Sequence, residues 1–122
     1  GLEPAAVDYI NAHGTSTAYN DKTEADAVRI VFGPENRVLV SSTKSVHGHM
    51  LGAAAAIEII VCVSAMREGL VPPTMNLDNP DPECPLNHVP NAAIRRELGV
   101  VMSNSFGFGG HNVCLLLRRC EQ

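Results

Sequence analysis

A layered α/β fold is predicted by three features of the sequence. Short apolar runs at 7–10 and 38–40 each lead into a polar, glycine-containing loop, a helical repeat of apolar residues lies between them, and a second helical stretch at 50–66 is apolar nearly all round. Strands and helices that alternate in this way bury their apolar faces by stacking in layers. A helix without a polar face needs cover on every side.

The run at 7–10 reads as a strand, and Asn11-Ala-His13-Gly-Thr15-Ser-Thr17 after it as a loop of the kind found at a strand's carboxyl end. Asp21 followed by Glu24 resembles a capping box, Val28, Val31 and Phe32 follow at helical spacing, and Gly33-Pro34 stops the run, which predicts a helix over 21–32. A second strand spans 38–40. Between 50 and 66 the one charged residue is Glu58. That stretch is shorter than the ~20 apolar residues needed to cross a bilayer, so it reads as a helix buried in protein.

Six of the eight prolines fall between 71 and 90, and their missing backbone donors exclude helix or central strand there. A long extended surface loop is predicted instead. Two further strands, 99–103 and 113–117, flank a loop from Asn104 to Asn112 in which Gly107, Gly109 and Gly110 permit backbone angles that other residues resist. These few elements cannot cover 50–66 on all sides. An exposed apolar face, closed by a further layer, is therefore expected.

A length of 122 residues sets the ceiling at one domain, 1–122, and 45% hydrophobic residues exclude a disordered chain. The net charge of −4, with no basic stripe, disfavours nucleic acid as a partner. Cys62, Cys84, Cys114 and Cys120 show no C-x-x-C spacing and no secretory signal precedes them, so they read as reduced thiols in a cytoplasmic setting. The start lacks both a targeting pattern and an initiator Met, and reads as an internal cut.

Three loops hold the residues that could carry chemistry: the one with His13, Ser41-Ser-Thr-Lys44-Ser-Val-His47-Gly-His49, and Asn104 to Asn112. Each follows a predicted strand, so all could gather at one sheet edge. Neutral imidazole N–H groups aimed at a developing enolate or oxyanion stabilise a transition state, and a nearby cation such as Lys44 helps keep them unprotonated. The alternative is that His13 and His49 only tie loops together. Glu58, in mid-helix, needs a partner because an unpaired buried carboxylate costs several kcal/mol. That partner is either an Arg or Lys from outside this stretch of chain or a bound cation. Phe106 suits core packing, whereas Phe108 has glycine on both sides and suits a mobile aromatic plug. The glycines do not meet the dinucleotide fingerprint, since a strand rather than a helix follows.

At these loops the sequence resembles the β-ketoacyl-[acyl carrier protein] synthases. Asn-Ala-His-Gly-Thr-Ser-Thr, Ser-Thr-Lys-Ser-x-x-Gly-His and Asn-Ser-Phe-Gly-Phe-Gly-Gly are that family's carboxyl-terminal signatures, in its order and spacing. The resemblance implies the carboxyl-terminal half of a thiolase-like α/β fold, a mixed sheet with a buried apolar helix, completed to α-β-α-β-α layers by an amino-terminal half in a chain of about 400 residues. It implies decarboxylative Claisen condensation, with His13 and His49 stabilising the enolate, Lys44 ordering the site and Phe108 as the gate. Thr15, Thr17 and Phe106 would contact the substrate arm, and Asn11, Glu58, Ser103 and Asn104 would hold a structural monovalent or divalent cation.

No cofactor is implied for the chemistry beyond the phosphopantetheine of a partner acyl carrier protein. Other implied partners are the amino-terminal half and a second copy in a homodimer, with no nucleic acid and no membrane; the implied location is the cytoplasm, or an organelle where a transit peptide exists upstream. The family's nucleophilic cysteine sits in a turn at a helix start, where the thiol pKa is lowered. None of the four cysteines here occupies such a turn, so this chain alone is expected to be inactive. A polyketide-pathway ketosynthase and a non-catalytic subunit like a chain-length factor are the alternatives. Two departures are His47 and His111, where many family members carry threonine.

Overall fold

Tyr9–Asn11 forms β1 and Leu39–Ser41 forms β2 in the computed structural model, which describes residues 1–120. Between them Ala18–Phe32 forms α1. The helix begins before the expected 21, with Thr17 as its N-cap and the Asp21 amide already bonded to the Thr17 carbonyl at 3.0 Å. The capping box expected at Asp21 and Glu24 does not form, because Glu24 turns inward to a buried position.

After β2 comes one helical turn, α2, at Lys44–His47, then a 3₁₀ turn at Leu51–Ala53 that leads into α3, Ala54–Glu68. Gly69 ends α3 in the left-handed conformation (φ 60°, ψ 41°), which glycine adopts without a Cβ penalty. The proline segment holds no helix or long strand, as expected, but it is not extended: it turns at 75–76 and 82–83 and doubles back, so that Leu70–Val71 (β3) before it and Ile94–Arg95 (β4) after it pair as a small antiparallel ribbon. An isolated bridge from Val40 to His88 holds the segment against β2, and another from Thr74 to Pro90 closes the segment on itself.

The largest correction concerns the last glycine-rich segment. Val100–Gly107 (β5) and His111–Arg118 (β6) form one long hairpin, so Asn104, Ser105 and Phe106 lie in a strand, not a loop. Only Phe108, Gly109 and Gly110 turn the chain, with φ of 82° at both glycines. Strand pairing across the hairpin won over the loop-forming glycines, because they sit at its tip.

The main sheet runs β2-β1-β5-β6, with β1 parallel to β2 and β5, and β6 antiparallel at the edge. Alternate residues supply two cores. Tyr9, Leu39 and Val101 face α3 with Cys62, Ala65 and Met66; Ile10, Val40 and Val100 face α1 with Val28. Toward the carboxyl ends of the parallel strands the α3 face turns polar: Asn11 is in register with Ser41 and with Ser103, and all three are buried.

The expected exposed apolar face is present. Ile60 (61% exposed) and Val63 lie on α3 away from its buried stripe, and Val113, Leu115 and Leu116 are exposed on β6. Among the described residues no helix is long and apolar enough to cross a membrane.

Asp8 Oδ2 accepts the backbone N–H groups of Gly99 and Val100 at 2.7 and 3.1 Å, clamping the start of β5 beside β1. Asp8→Ala is expected to lower stability by about 1–3 kcal/mol. Urea unfolding of the intact protein checks this, and an unchanged midpoint would remove the clamp from the account.

Candidate active site

His13 follows β1, Lys44 and His49 follow β2, and Phe106 lies near the end of β5, so neighbouring strands deliver them to one edge. The rings of His13 and His49 have centroids 5.6 Å apart and stand nearly perpendicular, at 87°. Phe106 packs against His13 with ring centroids 5.4 Å apart. His49 is exposed and His13 is buried. The backbone N–H of Leu51 donates to His49 Nδ1 at 3.2 Å. A nitrogen that accepts carries no proton, so the neutral ring presents Nε2–H as a donor. Burial lowers the His13 pKa below the ordinary imidazole value, and the Lys44 charge adds to the effect, so His13 is neutral near pH 7.

A carboxylate holds the His13 loop. Glu24 Oε1 accepts from the His13 N–H at 2.9 Å and from Asn104 Nδ2 at 3.0 Å, and Oε2 accepts from the Gly14 N–H at 2.9 Å. One anion in α1 thus binds the loop after β1 to the middle of β5. Gly14 is further fixed against β2: a Cβ there would lie 2.5 Å from Ser42 Cβ, and its φ of 40° disfavours other residues. Ser42 Oγ donates to the Gly14 carbonyl at 2.8 Å, so the close approach is also a hydrogen bond.

Glu24 was legible only as a capping residue. Its position one turn before Val28 places it on the helix's own buried stripe, the same signal that singles out Glu58.

Glu58 is fully buried in α3, and its partner is the chain's own Lys44, whose ammonium donates to Oε1. The expectation that an Arg or Lys from elsewhere would be needed is therefore corrected: the wind of α2 brings Lys44 inward. Glu58 Oε2 and Asn104 Oδ1 have no hydrogen-bond partner, and both belong to the four expected cation ligands. Asn11 and Ser103, the other two, are neighbours in register. Glu58 Oε2 and Asn104 Oδ1 are thus of the donor type that a hard cation takes, whereas both ends of the Asn11 side chain already bond to Thr43. Among the described residues there is no cluster of three or more His, Cys, Asp or Glu.

Thr15 is half-buried and Thr17 exposed, with hydroxyls 2.9 Å apart. Together with Lys44, His49 and Met75 they line a groove of about 570 Å3 between α1, α2 and the proline segment. Phe108 stands at the hairpin tip, 98% exposed. No nucleophilic thiol appears among Cys62, Cys84 and Cys114: burial pushes Cys62 up to about 12 and raises the other two.

The family description "Beta-ketoacyl synthase, C-terminal domain" matches residues 1–78. The chain belongs to the β-ketoacyl synthase family. It is 54% identical over 120 residues to 3-oxoacyl-[acyl-carrier-protein] synthase 2 of Coxiella burnetii (strain RSA 493 / Nine Mile phase I), an alignment that covers 98% of this chain and 29% of the relative. It is 51% identical over 120 residues to Nodulation protein E of Rhizobium sp. (strain N33), covering 98% of this chain and 30% of the relative. Among solved structures, the ishigamide ketosynthase/chain length factor superposes with a TM-score of 0.95 at 41% identity, covering 99% of this chain and 30% of that one.

The fold is thus the thiolase-like fold of the ketosynthases, and the chain spans under a third of the length of these relatives.

Glu24→Gln replaces one accepting oxygen by an NH2 group that faces N–H donors, and is expected to destabilise the protein by about 1–3 kcal/mol; matched thermal unfolding curves for the two proteins would contradict the assignment. Because His13 is held neutral, its NMR titration midpoint should lie below the ordinary value of about 6.5. The folded state then resists protonation, so His13 contributes stability above that pH and loses it as pH falls. A midpoint at or above the ordinary value would refute this.

Proposed function

We propose that this chain supplies the histidine pair, lysine and gate of an elongating 3-oxoacyl-[acyl carrier protein] synthase. The observation that carries the reading is the pair of perpendicular imidazoles, His13 held neutral and His49 presenting Nε2–H. In decarboxylative condensation the malonyl thioester loses CO2, and the electron pair of the broken bond develops as an enolate. Donors fixed before the reaction lower that barrier without reorganising.

Neutral His13 and His49 are the donors, and the enolate carbon then attacks the acyl thioester on a cysteine, whose thiolate leaves as the new carbon–carbon bond forms. That cysteine comes from an amino-terminal portion of the family's chain, which this segment completes. Lys44 balances Glu58 and adds positive potential behind the pair. A structural cation at Asn11, Glu58, Ser103 and Asn104 would neutralise the unsatisfied oxygens and takes no part in bond making. Thr15, Thr17 and Phe106 contact the phosphopantetheine arm of an acyl carrier protein entering along the groove, and Phe108 gates the acyl side. The complete protein works as a cytoplasmic or organellar homodimer.

A second reading, a chain-length-factor-like subunit or a polyketide-pathway ketosynthase, draws on the likeness to a ketosynthase/chain length factor. The presence of His13, Lys44 and His49 favours a catalyst, because a subunit freed from chemistry has no need of them.

In the complete protein, His13→Ala or His49→Ala should reduce malonyl decarboxylation by roughly 100-fold or more, the scale for losing a preorganised donor, while cysteine acylation stays measurable. Radiolabelled CO2 release and acyl transfer read the two steps separately. Loss of acylation with decarboxylation intact would overturn the roles assigned.

A further inference from the structure

His47 occupies the turn between Lys44 and His49, and no step of the condensation uses it. It is half-buried and makes two hydrogen bonds that span α2 from end to end. Nδ1 lies 2.8 Å from the Gly48 carbonyl, and Nε2 lies 3.1 Å from Thr43 Oγ1. A carbonyl only accepts, so Nδ1 carries the proton; in the neutral ring Nε2 is then bare and must accept.

The Thr43 hydroxyl is the donor within reach. That hydroxyl has one proton and two claimants, His47 Nε2 at 3.1 Å and Asn11 Oδ1 at 3.3 Å, while one of its lone pairs already receives Asn11 Nδ2 at 3.0 Å. The shorter contact and the bare nitrogen direct the proton to His47. The chain of bonds runs Asn11 Nδ2–H to Thr43 Oγ1–H to His47 Nε2, and from Nδ1–H to the Gly48 carbonyl. Its first residue lies two positions before His13, and its last lies next to His49.

We propose that His47 is a positioning residue that locks the Lys44–His49 turn onto the His13 loop through the Thr43 hydroxyl, and so sets the separation of the two donor imidazoles. Gly48, at φ 77°, has no side chain to brace the turn and its carbonyl is held by this imidazole. α2 is a single turn with no side-chain cap of its own, so its geometry depends on such contacts. The inference rests on the condensing reading, because it assigns His47 its effect through His13 and His49.

The test uses the complete protein with two readouts. The first is independent of activity: long-range 1H–15N spectra should show His47 as the Nδ1–H tautomer, with its Nε2 resonance moved by Thr43→Val. The Nε2–H tautomer would overturn the proposal. The second is kinetic. His47→Asn keeps an amide near the Nδ1 position but cannot reach Thr43, whereas His47→Gln reaches it.

His47→Asn is expected to lower the decarboxylation kcat roughly tenfold, the scale of a modest misplacement of reacting groups, with acyl transfer to the cysteine unchanged. His47→Gln should recover most of the loss, and Thr43→Val should add nothing to His47→Asn. Equal loss of both half-reactions, full additivity, or no difference between Asn and Gln would each overturn it. Absence of decarboxylation in the unsubstituted protein would instead sink the condensing reading, leaving the tautomer to decide the hydrogen-bond assignment alone.

Discussion

The buried ion pair of Lys44 and Glu58 is the constraint around which the site is arranged. Both side chains are almost without solvent, so neither charge is tolerable alone, and breaking such a pair from one side costs about 3–5 kcal/mol. The pair joins α3, which packs on the sheet, to α2, which carries the turn to His49. A hydrophobic contact of similar size would also hold these elements together. The charge pair does more, because its ammonium raises the positive potential near His13 and so works with burial to keep that ring neutral. Structural cohesion and donor chemistry therefore draw on the same residue.

Glu24 plays the matching part on the opposite face of the sheet. Its two oxygens collect the amides of His13 and Gly14 and the side chain of Asn104, so the His13 loop is braced from α1 while the His49 turn is braced from α3. The two donor rings thus rest on two separate helices, and the sheet, the Asn11–Thr43 contact and the Ser42–Gly14 hydrogen bond join the supports. Backbone amides turned onto a carboxylate give a loop of fixed shape without extended secondary structure. This suits a segment whose side chains are proposed to meet a substrate.

Much of this was legible in the sequence, for reasons that differ by residue. The layers could be read because apolar spacing reports burial, and the predicted strands at 7–10 and 38–40 differ from β1 and β2 by one or two residues at their ends. The three signature loops carried the site residues, and His13, His49 and Phe106 do meet. The hairpin β5–β6 was not legible in full, since Asn104 and Ser105 are turn-prone polar residues and glycines follow Phe106, so their strand conformation comes from pairing with β6, a long-range effect. Glu24 was hidden by a plausible local role as a cap. The partner of Glu58 could not be read because Lys44 turns inward only through α2, one short turn that periodicity does not reveal.

The exposed apolar surface completes the physical account. The buried stripe of α3, at Ala54, Glu58, Cys62, Ala65 and Met66, is turned to the sheet, and the exposed side chains Ile60 and Val63 lie elsewhere on the helix. β6 adds a further exposed apolar row beside β5, whose inner residues carry the site. Large exposed side chains on both elements present an apolar surface whose burial would contribute roughly 25 cal/mol per Å2. The histidines, their braces and the ion pair stand complete within the chain, whereas its apolar surface does not close on itself. The hydrogen bonds that fix His13 and His49 share few residues with that apolar surface, so the geometry of the two rings does not depend on how the surface is covered.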